Sequence, residues 1–399
     1  MKIAMIFPGF SRNITGGAGG LLLHLCDELI KMGNEVTLIT TEIGEIWKPI
    51  IPDKLEIITI GRVIKTENRD LDLLLQHYDV ARMHRYLNNN FDIINIHNYP
   101  SPIASALAKK LKGLNTPVVY QCNEPPRFLY DLYEETIKNS SIVKKIGISI
   151  FAPFLKKLDK WGVSKVDEII SISKFMQRYI KEIYKRDNSF IMPGIEIDRF
   201  RPDIEGNKVR SKYAKDGDFI ILTSNVLHIR KRIDILIKAV PYVLKKHKNL
   251  KVIITGTGPE KTKLENLIKK LDLQKNVFLT GFIPVEDLPK YYAACDVFVF
   301  TAIREPQIGS PAEALASGKP VIAPNDGSPA ETIIEGKTGF LYKPLDEKDL
   351  ARKIIWCIEN KDYLKKMSKD CRKWVEENMT WEKMAKETYK VFEKVIENE

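Results

Sequence analysis

Apolar and polar positions alternate along this chain in two rhythms. Short β-branched runs predict strands over 2–7 (KIAMIF), 35–40 (EVTLIT), 55–60, 92–96 (DIINI), 117–121 and 168–172. Stretches with helical spacing lie between them, over 20–32, 71–88, 101–112 and 174–185. The rhythm breaks at 192–202, "MPGIEIDRFRP", where two prolines and a glycine read as a linker. It resumes with strands over 218–223, 250–255, 276–279, 296–300 and 320–323, and helices over 233–247, 260–271 and 346–357. The stretch 381–397 has the spacing of a closing amphipathic helix. Strand-then-helix alternation predicts an α/β chain with two doubly wound parallel-sheet domains. Ligands of such sheets bind beyond the carboxyl ends of the strands, so a cleft between the domains is the expected site.

Composition narrows the class. An apolar share of 44% over 399 residues suits a globular chain with more than one core. No run of eighteen apolar residues predicts a membrane span, and "MKIAMIFPGF" is too short for a secretory signal. Five scattered cysteines form no Cys-x-x-Cys pair, so neither a disulfide framework nor a zinc site is expected. A cytoplasmic location follows as the expectation. The formal charge of +11 is concentrated: residues 138–165 hold seven lysines against Asp159 alone, among Ile150, Phe151, Phe154 and Leu155. That pattern suits either a core helix with a solvated lysine face or contact with the anionic inner face of a membrane. Charge confined to one amphipathic segment argues against nucleic acid.

Nucleotide-binding signatures fail on inspection. "GGAGG" lacks the third glycine of the dinucleotide fingerprint at Leu22, and "GTGPEK" lacks it at Lys261. "EGKTG" has Glu331 where a P-loop needs glycine. Glycine loops at helix starts still suit phosphate, which points to Gly16 and Gly17, and to Gly309 and Ser310. "HIRKRID" adds three cations, Arg230, Lys231 and Arg232, between a strand and a helix. His97 ends the strand "DIINIH", where an imidazole would be a hydrogen-bond donor to a ligand. In "EPQIGSPAE", Ser310, Pro311 and Glu313 have the spacing of a capping box, which leaves Glu305 without a helix-capping role.

These segments resemble the family-four nucleotide-sugar glycosyltransferases of the GT-B fold. The likeness runs through "GGAGGLLLHLCDELIKMGNEVTLIT", "MPGIEIDRFRP", "KRIDILIKA" and "DLPKYYAACDVFVFTAIREPQIGSPAEALASGKPVIA", the last with the family's Glu-x7-Glu motif. It implies two Rossmann-like domains facing across a cleft: residues 1–198 for the acceptor and 199–380 for the nucleotide sugar. The helix in 381–399 would pack back on the first domain. It also implies a retaining, hexosyl-type transfer from a nucleotide-diphosphate sugar to a glycan or lipid-linked acceptor.

By the same resemblance, Lys231 meets the diphosphate, Glu305 orients the donor sugar, Glu313 accepts from the ribose hydroxyls and His97 bonds the donor sugar. Gly16, Gly17, Gly256, Gly309 and Ser310 would line the donor. Val226 stands where relatives place an arginine, and Arg230 or Arg232 is the replacement. "YQCNEPPRFLYD" resembles a subgroup string with Asn123 in place of histidine, making Asn123, Glu124 and Arg127 acceptor candidates. Asp-x-Asp pairs occur at 70–72 and 216–218, but cations and helix ends can neutralise a diphosphate, so no metal or other cofactor is expected. Two other readings fit: a GT-B-like nucleotide-sugar epimerase, and a non-catalytic nucleotide-sugar or membrane-surface binding protein.

Overall fold

A computed structural model describes residues 1–10, 17–62, 69–138 and 142–398. The chain divides into two compact units, Met1–Pro193 with Trp381–Glu399, and Gly194–Thr380.

The first unit is built on seven strands: β1 (Lys2–Phe7), β2 (Glu35–Thr40), β3 (Glu56–Thr59), β4 (Ile93–His97), β5 (Val118–Cys122), β6 (Glu168–Ser171) and β7 (Ser189–Phe190). All neighbours are parallel, in the order β3-β2-β1-β4-β5-β6-β7. β1 is an interior strand, Ile3 opposite Val36 on one side and Ile93 on the other. An interior parallel strand is covered on both faces, and Ile3, Ala4, Met5 and Ile6 are fully buried. Leu22, Leu25 and Leu29 of the helix Gly17–Lys31 cover one face with Met384, Ala385 and Phe392 of the helix Trp381–Glu397. Ala104, Ala108, Met176 and Ile180 from the helices Pro102–Lys112 and Lys174–Tyr184 cover the other.

The second unit has six strands: β8 (Phe219–Ser224), β9 (Leu250–Thr255), β10 (Val277–Gly281), β11 (Val297–Val299), β12 (Val321–Pro324) and β13 (Gly339–Tyr342). Their order is β10-β9-β8-β11-β12-β13, again all parallel. Each sheet reverses its winding direction once, between β1 and β4 in the first and between β8 and β11 in the second. Loops leaving those two pairs diverge to opposite faces, and the gap they leave is where such sheets hold ligands.

The structure moves several expected boundaries. The first helix opens at Gly17, and the pattern over 71–88 resolves into an α-helix to Arg82 and a 3-10 turn Met83–Tyr86. The basic segment forms a helix Ile142–Val163. The capping box at Ser310 does not form. The helix there runs Gly309–Ala316, Ile308 precedes it, and no side chain caps its first turn. Pro311 lies in its first turn, and Glu313 has turned to a different partner.

Candidate active site

In the second unit the loops after β8 and β11 bring two of the expected residues together. β8 ends at Ser224, and a 3-10 turn Ile229–Lys231 follows, capped by the His228 imidazole accepting from the Arg230 amide at 3.2 Å. The turn presents Lys231 beside the loop after β11. Its ammonium donates to Glu305 Oε1 at 2.7 Å, with the side chains only 18% and 14% exposed. The Thr301 hydroxyl donates to the Lys231 carbonyl at 2.7 Å, and the Phe300 ring lies 5.8 Å from Lys231 Nζ. The pair therefore sits at the reversal point of the sheet, tied to both strands that define it.

The flanking arginines differ. Arg232 adopts a left-handed backbone (φ +48°) at the start of the helix Ile233–Leu244, and its guanidinium spans Asp234 at 3.1 and 3.3 Å. Lys238 reaches the same carboxylate at 2.8 Å. Burial acts to raise the Asp234 carboxyl, and the two cations outweigh it, holding it below the usual carboxylate range. Arg230 is half-buried and, among the described residues, has no carboxylate partner, while Val226 is exposed on the same loop. Gly256 follows β9 with φ +114°, and a Cβ there would fall 2.0 Å from the Asn225 carbonyl oxygen. Close approach of two strand ends thus requires glycine at that position.

Gly309 and Ser310 form the first turn of their helix, whose amides carry no side-chain cap. Glu313, one turn later, accepts the Tyr292 hydroxyl at 2.6 Å. Burial pushes the Glu313 carboxyl up, the Tyr292 hydroxyl pulls it back, and Glu196 raises it again. Tyr292 itself is fully buried, so its hydroxyl requires a partner inside the unit, and the carboxylate supplies it.

In the first unit His97 ends β4, beside β1 at that sheet's reversal point. It is fully buried, and burial lowers the imidazole to about 3, so the ring is neutral. Asn95 donates its amide to the Val119 carbonyl at 3.1 Å, which turns Asn95 Oδ1 toward His97 Nε2 at 2.7 Å. Nε2 therefore carries the proton, and the atom without a protein partner, Nδ1, is an acceptor. The expected donor role is reversed: a neutral ring has one proton, and Asn95 takes it. Gly17 opens its helix with φ +56°, whereas Gly16 lies outside the described residues.

After β5, Asn123 is buried and its Oδ1 accepts from Gln121 at 3.4 Å; Glu124 is exposed. Arg127 is buried and forks onto Asp131, with contacts of 2.6, 3.1 and 3.2 Å. Tyr130, in the same segment, donates to Asp159 at 2.7 Å, and Tyr184 donates to the same oxygen at 2.9 Å. Asp159 belongs to the basic helix and is 2% exposed; burial raises its carboxyl to about 6 against the pull of the two tyrosines and Lys160. Among the described residues, no cluster of His, Cys, Asp or Glu is arranged to hold a metal ion. Tyr292 and Asp159 carry no motif. Tyr292 reads as core in "YYAACDVFVF", and Asp159 as a lone acid among lysines.

Comparison with known proteins agrees with this architecture. Residues 15–199 match the model for Glycosyltransferase Family 4, and residues 206–374 match that for Glycosyl transferases group 1. An uncharacterized glycosyltransferase of Methanocaldococcus jannaschii is 24% identical over 411 aligned positions, covering 100% of this chain and 99% of its own. The alpha-monoglucosyldiacylglycerol synthase of Streptococcus pneumoniae is 29% identical over 215 positions, covering 52% of this chain and 48% of its own. An Anabaena protein solved in complex with UDP and glucose superposes with a TM-score of 0.75 at 19% identity, covering 99% of this chain and 100% of its own. Two Rossmann-like parallel-sheet units and two matching family models together span nearly the whole sequence, and the chain belongs to the family-four glycosyltransferases of the GT-B fold.

Proposed function

We propose that this protein transfers a hexosyl unit from a nucleotide-diphosphate sugar to a glycan or lipid-linked acceptor, with retention of anomeric configuration. The observation that carries this reading is the Lys231–Glu305 pair at the reversal point of the second sheet. Breaking the bond between the anomeric carbon and the diphosphate leaves negative charge on the departing oxygen. Lys231, Arg230 and the uncapped amides at Gly309 and Ser310 are cationic or donor groups suited to that charge. One such donor, fixed before reaction, is worth about 3 kcal/mol in the transition state. Glu305 orients the sugar hydroxyls, Glu313 accepts from the ribose, and His97 Nδ1 accepts from a sugar hydroxyl. With protein cations supplying the charge, the reaction runs without a metal or other cofactor. The first unit holds the acceptor, with Asn123, Glu124 and Arg127 near it, and the second holds the nucleotide sugar.

The acceptor reading has its own support. On the helix Ile142–Val163, Ile150, Phe151 and Phe154 are 65%, 49% and 61% exposed, beside exposed Lys157 and Lys160. Ala152, Leu155 and Asp159 occupy the opposite, buried face. Apolar side chains among lysines suit the headgroup boundary of an anionic membrane, where a lipid-linked acceptor would lie. Among the described residues no helix is long and apolar enough to cross a membrane, so the contact proposed is peripheral. The named activity of the Streptococcus pneumoniae relative, a diacylglycerol glycoside synthase, is consistent with such an acceptor.

A panel of labelled nucleotide sugars tests the reading, with product configuration assigned by NMR. Transfer, or slow hydrolysis, of one donor is expected, with the anomeric configuration kept. Epimerisation without an acceptor, binding without turnover, or full activity of Glu305→Gln would each overturn it.

A further inference from the structure

Glu305 is held from behind by the loop after the neighbouring strand. β11 and β12 pair in parallel, so the segments leaving their carboxyl ends, 300–308 and 325–328, run side by side. Three contacts join them. Asp326 Oδ2 accepts the Arg304 amide at 2.7 Å, and the Ser328 amide donates to the Glu305 carbonyl at 2.9 Å. Between these bonds Gly327 lies backbone against backbone on Glu305. A Cβ at Gly327 would fall 2.8 Å from the Glu305 nitrogen and 2.9 Å from its carbonyl oxygen. Gly327 has φ +62°, and Arg304 has φ +51°. A long side chain in the left-handed region persists only where its surroundings impose it, and the Asp326 carboxylate does so.

We propose that Asp326 and Gly327 are positioning residues for Glu305, Asp326 fixing the peptide group just before Arg304 and Gly327 packing on the Glu305 backbone, so that the Glu305 carboxylate meets Lys231. The clamp stands on geometry, while its effect on turnover rests on the glycosyltransferase reading above. The Asp326 side chain is separable from the folding of its own loop. That loop is anchored independently by the Asn325 amide to the Tyr342 carbonyl and the Asp326 amide to the Pro324 carbonyl, each at 2.8 Å. Loss of the carboxylate therefore removes the bond to the Arg304 amide and loosens the approach to Glu305 while leaving 325–328 in place.

The test compares Asp326→Ala, Asp326→Asn and the wild type. Asparagine retains a carbonyl oxygen to accept the Arg304 amide; alanine does not. In Asp326→Ala, amide exchange over 301–308 should speed up on the order of tenfold. Nucleotide-sugar affinity and kcat should fall on the order of tenfold, with nucleoside-diphosphate affinity changed less than about twofold. Asp326→Asn should remain near wild type in all three. Unchanged exchange in Asp326→Ala, or equal loss of affinity for nucleotide sugar and nucleoside diphosphate, would overturn the proposal. Should the wild type bind no nucleotide sugar, the proposed function falls, and the exchange measurement alone still decides the clamp.

Discussion

Lys231 and Glu305 lie 74 positions apart in sequence, and their side chains meet at 2.7 Å where the winding of the second sheet reverses. The charges are partly shielded from water, so each sets the orientation of the other. A single pair of this kind adds about 1 kcal/mol or less to stability while it remains in contact with solvent. Glu305→Gln should therefore melt within a few degrees of the wild type while kcat falls by roughly two orders of magnitude. Thermal melts beside initial rates on the best donor separate these effects.

Tyr292→Phe probes the carboxylate that replaced the expected cap. Removing one hydroxyl leaves Glu313 without its 2.6 Å donor, and a hydrogen bond to a charged group is worth about 1.5–3 kcal/mol. Nucleoside-diphosphate affinity should fall on the order of tenfold. The sign with pH follows from the same bond. The hydroxyl holds the Glu313 pKa down against burial, so the variant should lose affinity at a higher pH than the wild type as pH is lowered. Calorimetric titrations across the acid range check both effects.

Asp159 couples pH to the stability of the first unit. Its folded carboxyl is raised from 3.8 to about 6, so between those values the native state binds more protons than the unfolded chain. Stability is then greatest below the unfolded value and declines as pH rises through about 6. The full span is on the order of 3 kcal/mol. Asp159→Asn should remove this slope while keeping an oxygen for Tyr130 or Tyr184. Urea melts at pH 4, 5, 6 and 7 would show the wild-type decline, and its persistence in the variant would refute the assignment.

The exposed face of the basic helix makes a prediction independent of catalysis. Phe151→Ser with Phe154→Ser should abolish co-sedimentation with vesicles containing phosphatidylserine. Removing Lys157 and Lys160 should weaken it most at low salt, where screening is least. Neither change touches the buried Ala152 and Leu155, so the melting temperature should hold.

Most of the layered architecture was readable from periodicity, because a strand buried on both faces is apolar throughout and a helix beside it is apolar on one side. Runs such as "KIAMIF" and "EVTLIT" admit little else. The sequence shows the candidate site as residue types and not as pairings. Lys231 and Glu305 each stand out in the sequence, but no local pattern joins residues 74 positions apart. At Ser310 the local rule failed, since Ser, Pro and Glu at capping spacing yielded to the buried Tyr292 hydroxyl. At His97 the sequence shows the residue and not its tautomer, because Asn95 Oδ1, two positions earlier on the same strand, accepts the ring N–H.

The sequence by itself determined most of the strands and helices, and which charged residues stand at strand ends. Those properties follow from local spacing, whereas the strand order, and with it the reversal point of each sheet, does not. Only the tertiary structure decided that Lys231 faces Glu305, that Arg232 is engaged by Asp234, and that Tyr292 holds Glu313. It also decided that Asp326 and Gly327 support Glu305 from the next loop. Such pairings depend on which loops the sheet order makes neighbours, and on buried polar atoms finding partners within a few ångströms.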